Sequence, residues 1–205
     1  AIEGKQMPVD TYESLCDTLD ENFDFTSVNF AKLRAVKRED ELELLRIAAN
    51  IGDESFAALL PQLKVGMTEN EVRIILETEM LKRGSEEPSF ATIIASGTRS
   101  SMPHGVASDK VIEAGDFVTI DFGSVYKGYH SDMTRTIVMG TASDLQKKLY
   151  SIVLEAQKRG VAAVRAGITG KELDAICRDY IKEYGYTKEF NHGTGHGLGL
   201  EIHEE

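Results

Sequence analysis

The chain has 205 residues, 41% of them hydrophobic and 7% aromatic, enough to bury the core of one large domain or of one domain with a remnant of another. Its 23 Lys and Arg against 34 Asp and Glu leave a formal charge of −11, which supplies no positive field for phosphates and argues against nucleic acid and anionic membranes as partners. Cys16 and Cys177 lie far apart without CxxC spacing, and no apolar run reaches the ~18 residues of a membrane span, so a reducing cytoplasm is the expected location.

Residues 1–36 read as strand and loop material, with an acidic patch at 17–24 and no strong helical period. The chain opens on Ala1 rather than Met, which leads us to expect an upstream part. From Lys37 the pattern changes. Leu42, Leu45, Ala49, Gly52, Phe56 and Leu59 recur at three- and four-residue steps, the face of an amphipathic helix ending near Pro61. A second helix is predicted at once, with Thr68-x-x-Glu71 as its capping box, Val72, Ile75, Leu76 and Met80 as its buried stripe, and Gly84 as its stop.

Next come His104, in the segment SMPHG, and then two apolar runs, FVTIDFG at 117–123 and HSDMTRTIVM at 130–139, which read as a hairpin. A two-residue loop at Tyr126 and Lys127 would set Asp121 directly opposite Asp132. Cross-strand partners share a face, so two carboxylates there would repel unless a cation sat between them. His130, beside Asp132, suits a solvated hairpin edge.

The helix pair then returns. Ser143-x-x-Gln146 caps a helix with Leu145, Leu149, Ile152, Val153, Ala156, Gly160 and Val164 on one face, and Thr169-x-x-Glu172 caps the next, which stops at Gly185. Gly66, Thr68, Glu71 and Gly84 reappear 101 residues later as Gly167, Thr169, Glu172 and Gly185. An internal repeat of two α/β halves follows, and by that repeat the second half would need roughly forty residues beyond 205.

Residues 192–205 read HGTGHGLGLEIHEE. Glycines at 193, 195, 197 and 199 alternate with His192, Thr194, His196 and Leu198, leaving one side of an extended segment bare for another backbone or a ligand. The spacing is not that of a phosphate loop. His203 lies seven residues beyond His196, so a bend must intervene if both serve one site.

These segments, SMPHG, DFGSVYKGYHSDMTRT and HGTGHGLGLEIHE, resemble those of the pita-bread metallopeptidases, the family of Xaa-Pro aminopeptidase, prolidase and methionine aminopeptidase. The resemblance covers about residues 30–205. It implies an α+β pita-bread fold with two pseudo-symmetric α/β halves, the second incomplete. It further implies a catalytic domain over 31–205 lacking its C-terminal end, with 1–30 as the remnant of an N-terminal domain and linker. Carried onto this chain, Asp121, Asp132 and His196 become metal ligands, Asp132 bridging two divalent ions, and His104, His192 and His203 line the substrate pocket. Two further glutamate ligands of the family are expected downstream, because Glu204 and Glu205 stand too near His203 to serve. The implied reaction is hydrolysis of the peptide bond before proline in a peptide substrate. Methionine aminopeptidase, a metal-free creatinase-like amidinohydrolase and a catalytically dead peptide- or protein-binding member are the alternatives.

A pair of ions about 3.5 to 4 Å apart makes water a nucleophile at neutral pH and polarises the scissile carbonyl. His203 is then the expected donor to the oxyanion, and His104 the expected contact for the departing nitrogen. Oxygen-rich ligation with one imidazole favours Mn²⁺, with Co²⁺ or Zn²⁺ as alternatives. The three donors here would hold at most one weakly bound ion, so the 205-residue chain is expected to be inactive although its parent is an enzyme. A homodimer is expected for the full-length protein.

Overall fold

The computed structural model describes residues 1–4, 7–19 and 24–204. Among these residues, six α-helices, α1 (Val9–Thr18), α2 (Ala31–Ala35), α3 (Glu39–Leu59), α4 (Glu69–Lys82), α5 (Asp144–Ala163) and α6 (Gly170–Glu183), accompany five strands. The strands are β1 (Ile93–Ser96), β2 (Phe117–Phe122), β3 (Val125–Tyr126), β4 (Tyr129–His130) and β5 (Met133–Val138).

Helices α3 and α4 begin and end where local chemistry directs. At α4, the Thr68 hydroxyl accepts from the Glu71 amide at 3.1 Å while the Glu71 carboxylate accepts from the Thr68 amide at 2.7 Å, so two orphan donors of the first turn are satisfied. The same box recurs at α6, where Thr169 and Glu172 exchange bonds of 3.2 and 2.8 Å. Gly84 and Gly185, at φ 97° and 88°, close the two helices in the left-handed region. Both helices are 14 residues long and displaced by the 101 residues of the repeat.

The sheet is antiparallel in the order β1-β2-β5. Along β2, Val118, Ile120 and Phe122 are fully buried against Ile51, Leu59, Val72, Leu76 and Met80 of α3 and α4. The period-2 alternation therefore turns Thr119 and Asp121 to the face away from the helices. That face carries the candidate site.

Two expectations are corrected by these elements. The first 36 residues are not free of helix: α1 and α2 form there, and neither buries a residue. The apolar signal of α1 is short: Val9, Tyr12, Leu15 and Cys16 recur at three- and four-residue steps over only ten residues. Of the acidic patch at 17–24, residues 20–23 lie outside the described residues. On α5, only Ile152, Ala156 and Gly160 of the predicted stripe are buried, while Leu145, Val153 and Val164 stand 57 to 62% exposed. The second helix pair packs on itself, and among the described residues no strand lies across it as β1, β2 and β5 lie across α3 and α4.

Candidate metal and peptide site

The hairpin forms, but with a shifted register. Asp121 pairs with Thr134, Phe122 with Met133, Val125 with His130 and Tyr126 with Tyr129. The loop is Lys127-Gly128, not Tyr126-Lys127, because both of its residues take positive φ, 48° and 78°. That geometry matches strand twist in two-residue hairpins, and glycine at the second position accepts it without strain. Asp132 consequently lies one residue outside β5, and continuing the register puts Gly123 rather than Asp121 across from it.

The charge of Asp132 nonetheless reaches Asp121. Burial pushes the Asp121 carboxyl above its ordinary range; the hydrogen bond from the Thr134 hydroxyl, at 2.7 Å, opposes this, the Asp132 charge adds to it, and the charges of His104 and His196 oppose it. Asp132 Oδ2 stands 3.2 Å from His196 Nε2. The other ring nitrogen of His196, Nδ1, is 2.9 Å from the Gly197 carbonyl oxygen, which can only accept, so Nδ1 carries a hydrogen and Nε2 is the atom free to bind. Nε2 and a carboxylate oxygen at this distance need a proton or a cation between them. Two carboxylates and an oriented imidazole are thus chemically suited to a divalent ion, although no group of three or more such side chains converges as a finished ion site among the described residues.

The histidines separate by position. His203 lies against His196, ring centroids 4.1 Å apart, so the bend demanded by the seven-residue step is present. The segment between them forms no strand; it doubles back through a Gly197–Glu204 bridge. His104 is exposed on a loop close enough to Asp121 for its charge to be felt. His192 instead packs edge-on against Phe190 at 4.9 Å. His130 contributes its backbone: its amide donates to the Gly199 carbonyl at 2.8 Å and fastens the glycine-rich segment to the hairpin.

Several supports were not singled out in the sequence. Ser124 donates to the Ala48 carbonyl at 2.6 Å and Tyr129 to Glu41 at 2.8 Å, which anchors the hairpin on α3. Glu69, fully buried in the first turn of α4, accepts from the amide and hydroxyl of both Ser96 and Ser108 and from Arg99, closing the loop that carries His104. Its acidic first-turn position was readable, but its burial was not.

Asp174 and Arg178, one helical turn apart on α6, clamp the approach to His192. Asp174 accepts from the Thr194 amide and hydroxyl, each at 2.9 Å, and Arg178 donates to the Phe190 and His192 carbonyls. The hydrogen bond from Arg178, burial opposing it, and the bonds from Thr194 leave the Asp174 carboxyl at about 2. A depressed carboxyl contributes stability above its unfolded pKa, about 3.9, and loses it as pH falls through the folded value. The Thr194 amide signal in an NMR titration is therefore expected to hold down to pH ~4 and shift as pH falls toward ~2. A midpoint at or above 3.9 would contradict the clamp.

Repeated helix pairs, one laid on a sheet whose far face carries Asp121, with the Asp132–His196 pair near enough for both charges to act on it, define the class as an α+β protein with donor types that metallohydrolases use. Comparison with known proteins is specific. The metallopeptidase family M24 matches residues 43–205, so the chain belongs to that family and has its pita-bread fold. The chain is similar to the Xaa-Pro dipeptidase of Pyrococcus furiosus, with 52% identity over 172 residues, covering 84% of this chain and 49% of that protein. Among solved structures, the Xaa-Pro dipeptidase from Bacillus anthracis superposes with a TM-score of 0.95 at 51% identity, covering 99% of this chain and 57% of that one. The X-Pro aminopeptidase from Thermotoga maritima gives 0.92 at 41% identity, with 99% and 58% covered. The chain spans about half the length of the curated relatives it matches.

Proposed function

We propose that the protein bearing this chain hydrolyses the peptide bond preceding proline at the N-terminus of a peptide, using two divalent ions. The 3.2 Å approach of Asp132 Oδ2 to His196 Nε2, beside an Asp121 carboxyl that burial disfavours as an anion, carries the reading. Asp121, Asp132 and His196 would hold metal, Mn²⁺ by preference for an oxygen-rich set, with Co²⁺ or Zn²⁺ as the alternatives. A bound pair of ions would supply Lewis-acid polarisation of the scissile carbonyl and a water acidic enough to ionise near pH 7.

The chain's own side chains would do the rest. His203, held against His196, would donate a hydrogen bond to the oxyanion that develops on the carbonyl oxygen. His104, on a loop pinned at both ends, would contact the departing proline nitrogen or its neighbour. His192 would border the peptide from the same glycine-rich segment. An added Cβ at Gly193 or Gly195 would meet nothing within 4 Å, so peptide backbone can approach there. The Xaa-Pro dipeptidase names of the relatives support proline over methionine specificity. The proposal includes a homodimer and a cytoplasmic location. For the latter, no helix of the described residues is long and apolar enough to cross a membrane.

Mn²⁺ titration by calorimetry, on the chain and on the protein extended to the length of its relatives, tests this together with hydrolysis of Xaa-Pro dipeptides and longer peptides. Asp132→Ala is expected to weaken Mn²⁺ at least about tenfold, ~1.4 kcal/mol, and to abolish hydrolysis by the extended protein. An extended protein that binds no metal and cleaves no Xaa-Pro bond ends the proposal, and full activity in Asp132→Ala ends the ligand assignment.

A further inference from the structure

The bend that brings His203 to His196 is held by a buried ion pair whose basic half lies outside the matched family region. Glu204 follows His203 directly, and its side chain is only 2% exposed. Its amide donates to the Gly197 carbonyl at 2.8 Å, and one carboxylate oxygen accepts from the Glu201 amide at 3.2 Å, so the residue closes the loop on itself at both ends. The other oxygen accepts from Lys37 Nζ at 2.8 Å, with that side chain 12% exposed. Arg34 adds a second cation, its Nε 3.7 Å from Glu204 and its Nη1 bound to Glu201 at 3.0 Å.

Gly199 fits the same arrangement. A Cβ there would stand 2.6 Å from Glu204 Oε2 and 2.9 Å from Oε1, so the carboxylate occupies the bare side that this glycine leaves. A carboxylate withdrawn this far from water persists only where cations and amides replace its hydration. Here the amide is that of Glu201, and the cations come from a segment about 167 residues earlier in the chain. Arg34 lies in α2 and Lys37 just after it, both before residue 43, where the family match begins.

We propose that Glu204 is a positioning residue for the His196–His203 pair, and that Lys37, with Arg34, locks it, so that the segment joining α2 to α3 sets the geometry of the peptide site. The proposal rests on reading those two histidines as parts of one site. It assigns Glu204 no contact with substrate; its effect passes through the loop it closes. Glycine at 199 is required because the carboxylate takes the place of a side chain.

Ring-to-ring nuclear Overhauser effects between His196 and His203, recorded on the chain without metal or peptide, test it. The wild-type chain is expected to show the contact that a 4.1 Å centroid separation implies. Glu204→Gln, Lys37→Met and Gly199→Ala are each expected to lose it, and Lys37→Arg to restore it, while the β2–β5 cross-strand signals stay in place. Persistence of the inter-ring signal in both Glu204→Gln and Lys37→Met overturns the proposal. So does its absence from the wild type. Collapse of the β2–β5 signals in Lys37→Met also overturns it, because the pair would then hold the whole fold rather than one loop. The signal needs no hydrolysis, so failure of the Xaa-Pro reading would appear separately, as an absence of cleavage with the ring contact intact.

Discussion

Gly123→Ala is expected to destabilise the chain by about 3 kcal/mol or more, lowering the urea midpoint without changing the slope. Gly123 is buried just after β2, where an added Cβ would run into the Ser131 carbonyl oxygen and lie 2.9 Å from Ser89 Cβ. The first obstacle is backbone and cannot rotate aside. Relief requires the two arms of the hairpin to part, which would break the Ser131 amide to Ser124 carbonyl bond at 2.9 Å. It would also displace Asp132, the residue across from Gly123, from Asp121 and His196. The substitution should therefore lose both stability and Mn²⁺ affinity. By contrast, Gly193→Ala, with nothing within 4 Å of the new methyl, should change stability by less than ~0.5 kcal/mol. A Gly123→Ala midpoint within error of wild type would refute the close approach.

The second large effect is expected at Glu69. Its carboxylate has no exposure and accepts from the Ser96 amide and hydroxyl at 2.8 Å each, from Ser108 at 3.1 and 2.6 Å, and from Arg99 at 3.1 Å. Truncation to Ala leaves those donors facing a cavity, and breaking a buried charge pair by removing one partner costs about 3–5 kcal/mol. Glu69→Gln keeps the volume and one acceptor and should lose less, about 1–3 kcal/mol. The consequence for the site is local. Glu69 ties both ends of the loop bearing His104, so hydrogen exchange over residues 96–108 should accelerate more than exchange in β2 and β5. Uniform acceleration, or a loss under ~1 kcal/mol in Glu69→Ala, would show that the carboxylate is not the fastening.

Legibility in the sequence followed the range of the interaction. The boxes at Thr68 and Thr169 and the stops at Gly84 and Gly185 were readable because partner and cap are at most four residues apart. The alternation of β2 was readable because the pleat imposes it. The hairpin was readable as a hairpin, but not in register: Lys127 in the left-handed region is a conformational choice that its residue type does not announce. The periodic signal of α1, Val9, Tyr12, Leu15 and Cys16, spans only ten residues and was passed over, whereas α5 carried more apolar signal than α6 alone covers.

The candidate site divides the same way. The spacing of the histidines and aspartates, and the requirement for a bend before His203, came from residue order alone. The hydrogen bond that leaves His196 Nε2 free, and its 3.2 Å approach to Asp132, required coordinates.

What residue order determined by itself were the local structures whose partners lie within a turn or a strand, and the identities of the donors that could gather. Tertiary structure alone decided which charges are buried and what holds them. Glu69 meets Ser96 and Ser108 across 27 and 39 residues, and Glu204 meets Lys37 across 167. A carboxylate is stable away from water only when cations and amides surround it, and no local pattern states which distant segments will supply them.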